Sequence, residues 1–393
     1  MDPVRNPFAP GAGSPPPELA GRAAVLEDAR ITLQRIALGK HAQSQILVGL
    51  RGVGKTVLLV RIREIAEHLG YKTHLVEAHE AKGLPEMIVP GLRSILFALS
   101  TVESAKEAAR KGLRVLKGFV SALKVTVNDI EFALGIDPDV GTADSGDLEA
   151  DLPNLLYAVG VAAKAAGRPV ALFIDELQYL SEKEFSALIM SIHKLNQDQL
   201  PVVLFGAGLP QILALAGNSK SYAERLFKYP KIGALEDEYA IEAIITPAQI
   251  EGVSVDDNAL SEILSVTERY PYFLQQWAHD AWNVAQGEHI CLEDVRQATQ
   301  LAVGTLDESF FRVRFDRCTP AEKRYMRALA DLGPGSHRSG DIAERLGVKS
   351  NSVGPTRGKL IKKGMIYSPQ HGDTAFTVPL FDAYMLRVMP TLD

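Results

Sequence analysis

Gly49-Leu50-Arg51-Gly52-Val53-Gly54-Lys55-Thr56 fits the pattern G-x-x-x-x-G-K-[ST]. Gln45 to Val48, just before it, is a short apolar run that reads as a buried strand. After it, Val57, Leu58, Val60, Ile62, Ile65, Ala66 and Leu69 form the apolar side of a helix that Gly70 ends. Strand, glycine-rich turn and helix in that order make a phosphate cradle. Glycines let the backbone turn and bring its N–H groups onto phosphate oxygens. The helix start points its positive end at the same anion. Lys55 then places a compact charge on the outer phosphates, and the Thr56 hydroxyl can ligate Mg²⁺. Gly49, Arg51, Gly52, Val53, Gly54, Lys55, Thr56 and Val57 are the expected contacts to ATP or a close purine nucleotide. Arg51 lies off the fixed positions of the pattern, and both a phosphate contact and a solvated loop arginine remain open for it.

A second polar site follows another apolar run. Val170-Ala171-Leu172-Phe173-Ile174 leads directly into Asp175-Glu176. The run reads as a strand buried on both faces, and two acids at its carboxyl end are costly unless they have work to do. The carboxyl ends of parallel strands are where α/β proteins place ligands. Asp175 is the expected second Mg²⁺ holder, and Glu176 the base that orients and deprotonates an attacking water.

Working outward, strands at 72–77 and 201–205 and helices at 84–100, 155–166 and 185–195 alternate along the chain. That alternation predicts a three-layer α/β core with a parallel sheet. Lys124 to Gly135 carries a hairpin signal, and Ile136 to Leu152, rich in Asp, Gly and Pro, reads as a loop. A helix is expected from Glu18 to about Leu38. The expected division is a Pro/Gly-rich segment at 1–17, a nucleotide-binding core at 18–235 with an insertion at about 83–152, a helical lid at 236–310 and a C-terminal domain at 311–393.

The chain has 393 residues, 46% hydrophobic and 23% charged, with a formal net charge of -6. Such a balance supports real cores and excludes a globally basic nucleic-acid binder, so any DNA contact must come from a local patch. Cys291 and Cys318 are too few for a disulfide framework or a zinc site. No signal-peptide pattern and no apolar stretch of membrane-spanning length is present, and the expected compartment is the cytoplasm.

The phosphate loop, the apolar strand and Asp175-Glu176 together resemble the AAA+ ATPases of the origin-recognition-like and STAND-like branch, which implies a P-loop NTPase core, ATP with Mg²⁺, and ATP hydrolysis. Three more segments carry the resemblance. Pro15-Pro16-Pro17-Glu18-Leu19-Ala20-Gly21-Arg22 is similar to the segment that cups adenine, which makes Arg22 a nucleotide contact. Ser221-Tyr222-Ala223-Glu224-Arg225-Leu226-Phe227 lies where such proteins carry an arginine finger. Arg225 would then act on a neighbour's nucleotide in a homo-oligomer; a surface or salt-bridged arginine is the other reading. Arg269-Tyr270-Pro271-Tyr272-Phe273-Leu274-Gln275 looks like the lid motif, and through it Pro271 becomes a nucleotide contact. Arg269 stands where glycine is usual and reads equally as a phosphate sensor or a helix cap. The strand ending at Phe205 runs into Gly206-Ala207-Gly208 where the family has a polar sensor, which counts against fast hydrolysis and not against binding.

From Thr319 the pattern changes to short helices and a terminal strand pair, Ile366-Tyr367 with Ala375-Phe376-Thr377-Val378, and looks like a winged helix. Its second helix would present Asn351, Ser352 and Arg357 to bases, and Arg357, Lys359, Lys362 and Lys363 to the phosphates of double-stranded DNA. Pro355 marks either the true start of that helix or a kink. The competing reading is a switch on a protein partner with slow hydrolysis and no DNA binding.

Overall fold

The computed structural model describes residues 1–392 other than 12, 14–15, 126–136 and 220–222. The chain falls into two compact units, one of Ala24–Val48 and Leu58–Lys231, the other of Met1–Ala23, Gly49–Val57 and Ile232–Asp393.

The first unit is the α/β layer. Its elements are α1 (Ala23–Ala37), β1 (Ser44–Val48), α2 (Lys55–His68), β2 (Lys72–Glu77), α3 (Leu84–Ser100), α4 (Lys106–Leu123), α5 (Leu148–Ala166), β3 (Val170–Asp175), α6 (Glu182–Gln197), β4 (Val202–Gly208), α7 (Ile212–Ser219), α8 (Ala223–Leu226) and β5 (Phe227–Lys228). The five strands run parallel in the order β2-β3-β4-β1-β5. This is the sheet of a P-loop NTPase, with β1 flanked by β4 and β5. β1, β3 and β4 are buried at every position, as their uninterrupted apolar runs require when both faces are covered. Phe173 and Phe205, paired across β3 and β4, stack with centroids 5.4 Å apart. Helices α3 to α6 pack the rest of this core through Leu92, Leu96, Phe119, Leu155, Phe185 and Leu188.

Several boundaries differ from the sequence expectation. Helix α1 begins at Ala23, not Glu18, because Gly21 sits at φ 68° and breaks the turn ahead of it. Helix α5 begins at Leu148, where a loop was expected to run on to Leu152. Asp151, one of the residues that suggested a loop, lies in the first turn and accepts the N–H groups of Ser145 and Gly146 at 3.2 and 2.9 Å. The hairpin expected at 124–135 lies almost wholly outside the described residues.

The second unit continues with α9 (Asp237–Ile250), β6 (Ser254–Val255), α10 (Asp257–Thr267), α11 (Pro271–Val284), β7 (His289–Ile290), α12 (Leu292–Thr305) and α13 (Arg312–Asp316). A π-helical turn, Leu306–Phe311, joins the last two. Then come α14 (Pro320–Asp331), β8 (His337–Arg338), α15 (Ser339–Arg345), α16 (Gly354–Lys362), β9 (Ile366–Tyr367), β10 (Asp373–Phe376) and α17 (Phe381–Val388). Its core is aromatic, with Trp277, Trp282, Phe273, Phe311 and Phe381 almost wholly buried. The N-terminal segment joins it: after a short turn at Pro3–Arg5, Phe8 packs edge-on to Trp282 at 6.4 Å. A capping box starts α14, Thr319 and Glu322 bonding each other's backbone N–H. The expected terminal strand pair is present, Ala375 opposite Tyr367 and Phe376 opposite Ile366, and β8 adds a third strand that the sequence did not signal. Pro355 lies in the first turn of α16, so it starts the helix and does not kink it.

Candidate functional site

The loop between β1 and α2 has the backbone its glycines permit. Gly52 and Gly54 take φ of 80° and 89°, which a side chain would strain. A Cβ on Gly49 would lie 2.1 Å from the Ile232 carbonyl oxygen, so only glycine fits there. The buried Lys55 ammonium donates to the Leu50 carbonyl at 2.8 Å and is thereby folded back over the loop. Thr56 is exposed in the first turn of α2.

Three consecutive residues of this loop are held by three separate segments. The Arg51 N–H donates to the Thr377 carbonyl at 3.1 Å, just past β10. The Gly52 carbonyl accepts the Tyr272 N–H at 3.1 Å, in the first turn of α11. The Val53 carbonyl accepts from Arg22 Nη2 at 3.4 Å, and the same nitrogen reaches the Gly233 carbonyl at 2.6 Å. Burial pushes the Arg22 guanidinium pKa down. Arg22 thus braces the loop's backbone, a role that its sequence context did not reveal. Pro271 opens α11 immediately before Tyr272. Arg269 is in the left-handed region at φ 59° and pairs with Asp237 at 2.6 Å. Val57 follows in α2, half-buried.

In the other unit, Asp175 ends β3, 5% exposed, and its Oδ1 accepts the Glu176 N–H at 2.8 Å. Glu176 takes φ 53° and opens a single turn, Leu177–Tyr179. A non-glycine residue in the left-handed region stores backbone strain, which the neighbouring contacts must hold. Gln178 supplies such a contact: its Nε2 donates to Glu176 Oε2, while its Oε1 accepts the Leu209 N–H at 3.0 Å. Arg225 is exposed in α8, its carbonyl accepting from Gln43 Nε2 at 2.7 Å. It lines a cleft with Arg35, His41 and Lys228. Ser221 and Tyr222 before it lie outside the described residues.

The C-terminal candidates divide. Asn351, Ser352, Lys359 and Lys362 are exposed. Arg357 points inward: Nε donates to Thr374 Oγ1 at 2.9 Å, and Nη2 to Ser368 Oγ and the Asp373 carbonyl, both at 2.7 Å. Lys363 bonds the Arg317 carbonyl at 2.9 Å and the buried Glu322 at 2.7 Å. No helix among the described residues is long and apolar enough to cross a membrane.

The model of the AAA ATPase domain matches residues 18–205, and that of a domain of unknown function (DUF8462) matches residues 308–385. No curated protein matches the chain. Among solved structures, a walker-type ATPase of Pyrococcus abyssi is 14% identical, with 93% of this chain and 96% of that chain covered and a TM-score of 0.56. The Orc1 protein of Aeropyrum pernix, solved in complex with DNA, is 16% identical over 98% of this chain and 96% of that one, with a TM-score of 0.50. Residues 18–205 are therefore an AAA ATPase domain, and the whole chain shares its fold with the Pyrococcus abyssi walker-type ATPase and the Aeropyrum pernix Orc1 protein.

Proposed function

We propose that this chain binds ATP with Mg²⁺ through the loop at 49–57, hydrolyses it with Glu176 as base, and uses the nucleotide state to control a C-terminal winged helix that contacts double-stranded DNA. The observation that carries the reading is the loop itself. Two glycines at positive φ, a glycine that tolerates no Cβ and a buried lysine folded over the turn suit a polyphosphate and little else. Thr56 and Asp175 are the residues that would hold Mg²⁺, which screens charge on the phosphates when bound. Glu176, strained and held by an amide, would orient the water and take its proton. Arg225, exposed on α8, would reach a neighbour's nucleotide in a homo-oligomer. In this reading 18–235 is the core, 236–310 the lid and 311–393 the winged helix, all working in the cytoplasm.

The DNA-bound Orc1 of Aeropyrum pernix supports the nucleic-acid reading. Asn351, Ser352, Lys359 and Lys362 remain the exposed groups for that contact. The inward turn of Arg357 and Lys363 favours the second reading, a nucleotide switch acting on a protein partner without DNA. Titration of labelled duplex DNA with ADP and with a slowly hydrolysed ATP analogue, at two salt concentrations, separates them. Salt-sensitive binding that differs between nucleotides is expected; no binding in either state leaves the protein-directed switch.

A further inference from the structure

We infer that Gln178 is a positioning residue for hydrolysis, which holds the Glu176 carboxylate through its side-chain amide while its own orientation is locked by the backbone of the neighbouring strand; the inference rests on the assignment of Glu176 as the base.

The end of β4 is built around this residue. Gly206, Ala207 and Gly208 carry no polar side chain. A Cβ on Gly206 would lie 2.3 Å from Leu177 Cδ1, and one on Gly208 3.1 Å from Gln178 Oε1. The glycines are thus the space into which the turn after β3 lays Leu177 and Gln178. Leu177 fills it as a fully buried anchor, and Gln178 brings a polar group to a strand end that has none of its own.

An amide has one acceptor side and one donor side. The Leu209 N–H, at 3.0 Å, needs an acceptor, which commits Oε1 to β4. Nε2 must then face the other way, and Glu176 Oε2 receives it. Two strands therefore fix one amide, and the amide fixes one carboxylate oxygen. Glu176 sits on a strained backbone at φ 53°, and the contact with Gln178 selects the rotamer in which its carboxylate is presented.

Two variants of the full chain separate positioning from mere support of the turn. Gln178→Glu keeps an acceptor for the Leu209 N–H and replaces the donor with a second carboxylate. Gln178→Leu removes both bonds. Melting temperature, ADP affinity, KM and kcat are measured for each. With a positioning role, Gln178→Glu melts within a few degrees of the wild type and binds ADP equally well. Its kcat falls with KM unchanged, because a carboxylate repels Glu176 and cannot donate to its Oε2. Gln178→Leu loses about tenfold or more in kcat, with unchanged ADP affinity. If Gln178→Glu has the wild-type kcat, the positioning role is overturned while the ATPase reading stands. If the wild type turns over no ATP, the hydrolysis reading falls, and this role falls with it.

Discussion

Lys55 is the one ammonium in the loop; it donates to the Leu50 carbonyl, and in the proposed site it supplies the charge that meets the outer phosphates. Lys55→Ala removes that charge without changing the glycines that precede it. Titration with a fluorescent ADP is expected to show no measurable binding; tight binding in the variant would overturn the phosphate-site assignment. Glu176→Gln makes a different change, keeping shape and removing basicity. It should bind nucleotide as the wild type does and hydrolyse ATP about a hundredfold or more slowly, as loss of a general base implies. These residues were legible because their chemistry is written in contiguous motifs next to strands. Gln178 was not, although it stands two residues from Glu176. Its role is set by the Leu209 N–H, which arrives from another strand, and local pattern carries no record of that pairing. Arg22 was singled out as a nucleotide contact, but its bracing of the loop was not legible, because its partners are the carbonyls of Val53 and Gly233.

At the scale of elements, the apolar runs of β1, β3 and β4 and the apolar-rich α3 were readable, α3 to the residue, since burial on both faces or along a stripe writes its own period. Short elements were not: β8 is two residues long and exists only because β10 pairs with it. The inward Arg357 ties α16 to β10 and to Ser368. Arg357→Ala should therefore lower stability by about 2 kcal/mol in denaturant titration, the scale of losing several charge-assisted bonds at a half-buried site. A double Lys359→Ala, Lys362→Ala variant should melt unchanged and, if duplex DNA binds, reduce the salt slope by about two. Loss of slope in Arg357→Ala alone would reassign it as a DNA contact. The same region is expected to be acid-sensitive. Burial pushes the Glu322 carboxyl up, but bonds from Lys363 and Thr319 outweigh it and hold the group below the usual glutamate range. Burial pushes the Asp331 carboxyl up as well, but bonds from Arg327 and Arg345 outweigh it and hold the group low. A depressed folded-state pKa stabilises above the ordinary carboxylate value, and that stability disappears as pH falls through the lowered one. Lys363→Met removes the main downward influence on Glu322, so acid unfolding followed by circular dichroism should begin at a higher pH than in the wild type. An unchanged midpoint would show that the Lys363 pair contributes nothing to folding.

For the molecule as a whole, the informative pattern lies in the second unit, where Arg51, Gly52 and Val53 bond to Thr377, Tyr272 and Arg22. None of these is a neighbour in sequence, so the loop's conformation is a property of the assembled unit. The Thr377 carbonyl is itself fixed, since its N–H and hydroxyl bond the Met365 carbonyl at 3.0 and 3.1 Å. A second route joins the same places. Tyr272 stacks on Phe310 at 4.9 Å, Phe310 meets Phe311 at 5.3 Å, and Phe311 stacks on Tyr384 of α17 at 5.2 Å. The π-helical turn is what sets Phe310 and Phe311 side by side in this row. Linkage requires that a ligand ordering the loop also stabilise whatever the loop already bonds. The bonds at 51, 52 and 53 use one N–H and two carbonyls, whereas the proposed phosphate contacts lie at the helix start that follows. Nucleotide binding there should reinforce the bond to Thr377. Hydrogen–deuterium exchange is expected to slow in the peptide spanning 364–378 when ADP is added, and Phe310→Ala should shrink that response while leaving ADP bound. Faster exchange on ADP addition would mean that the nucleotide releases this region and that the two compete for the loop.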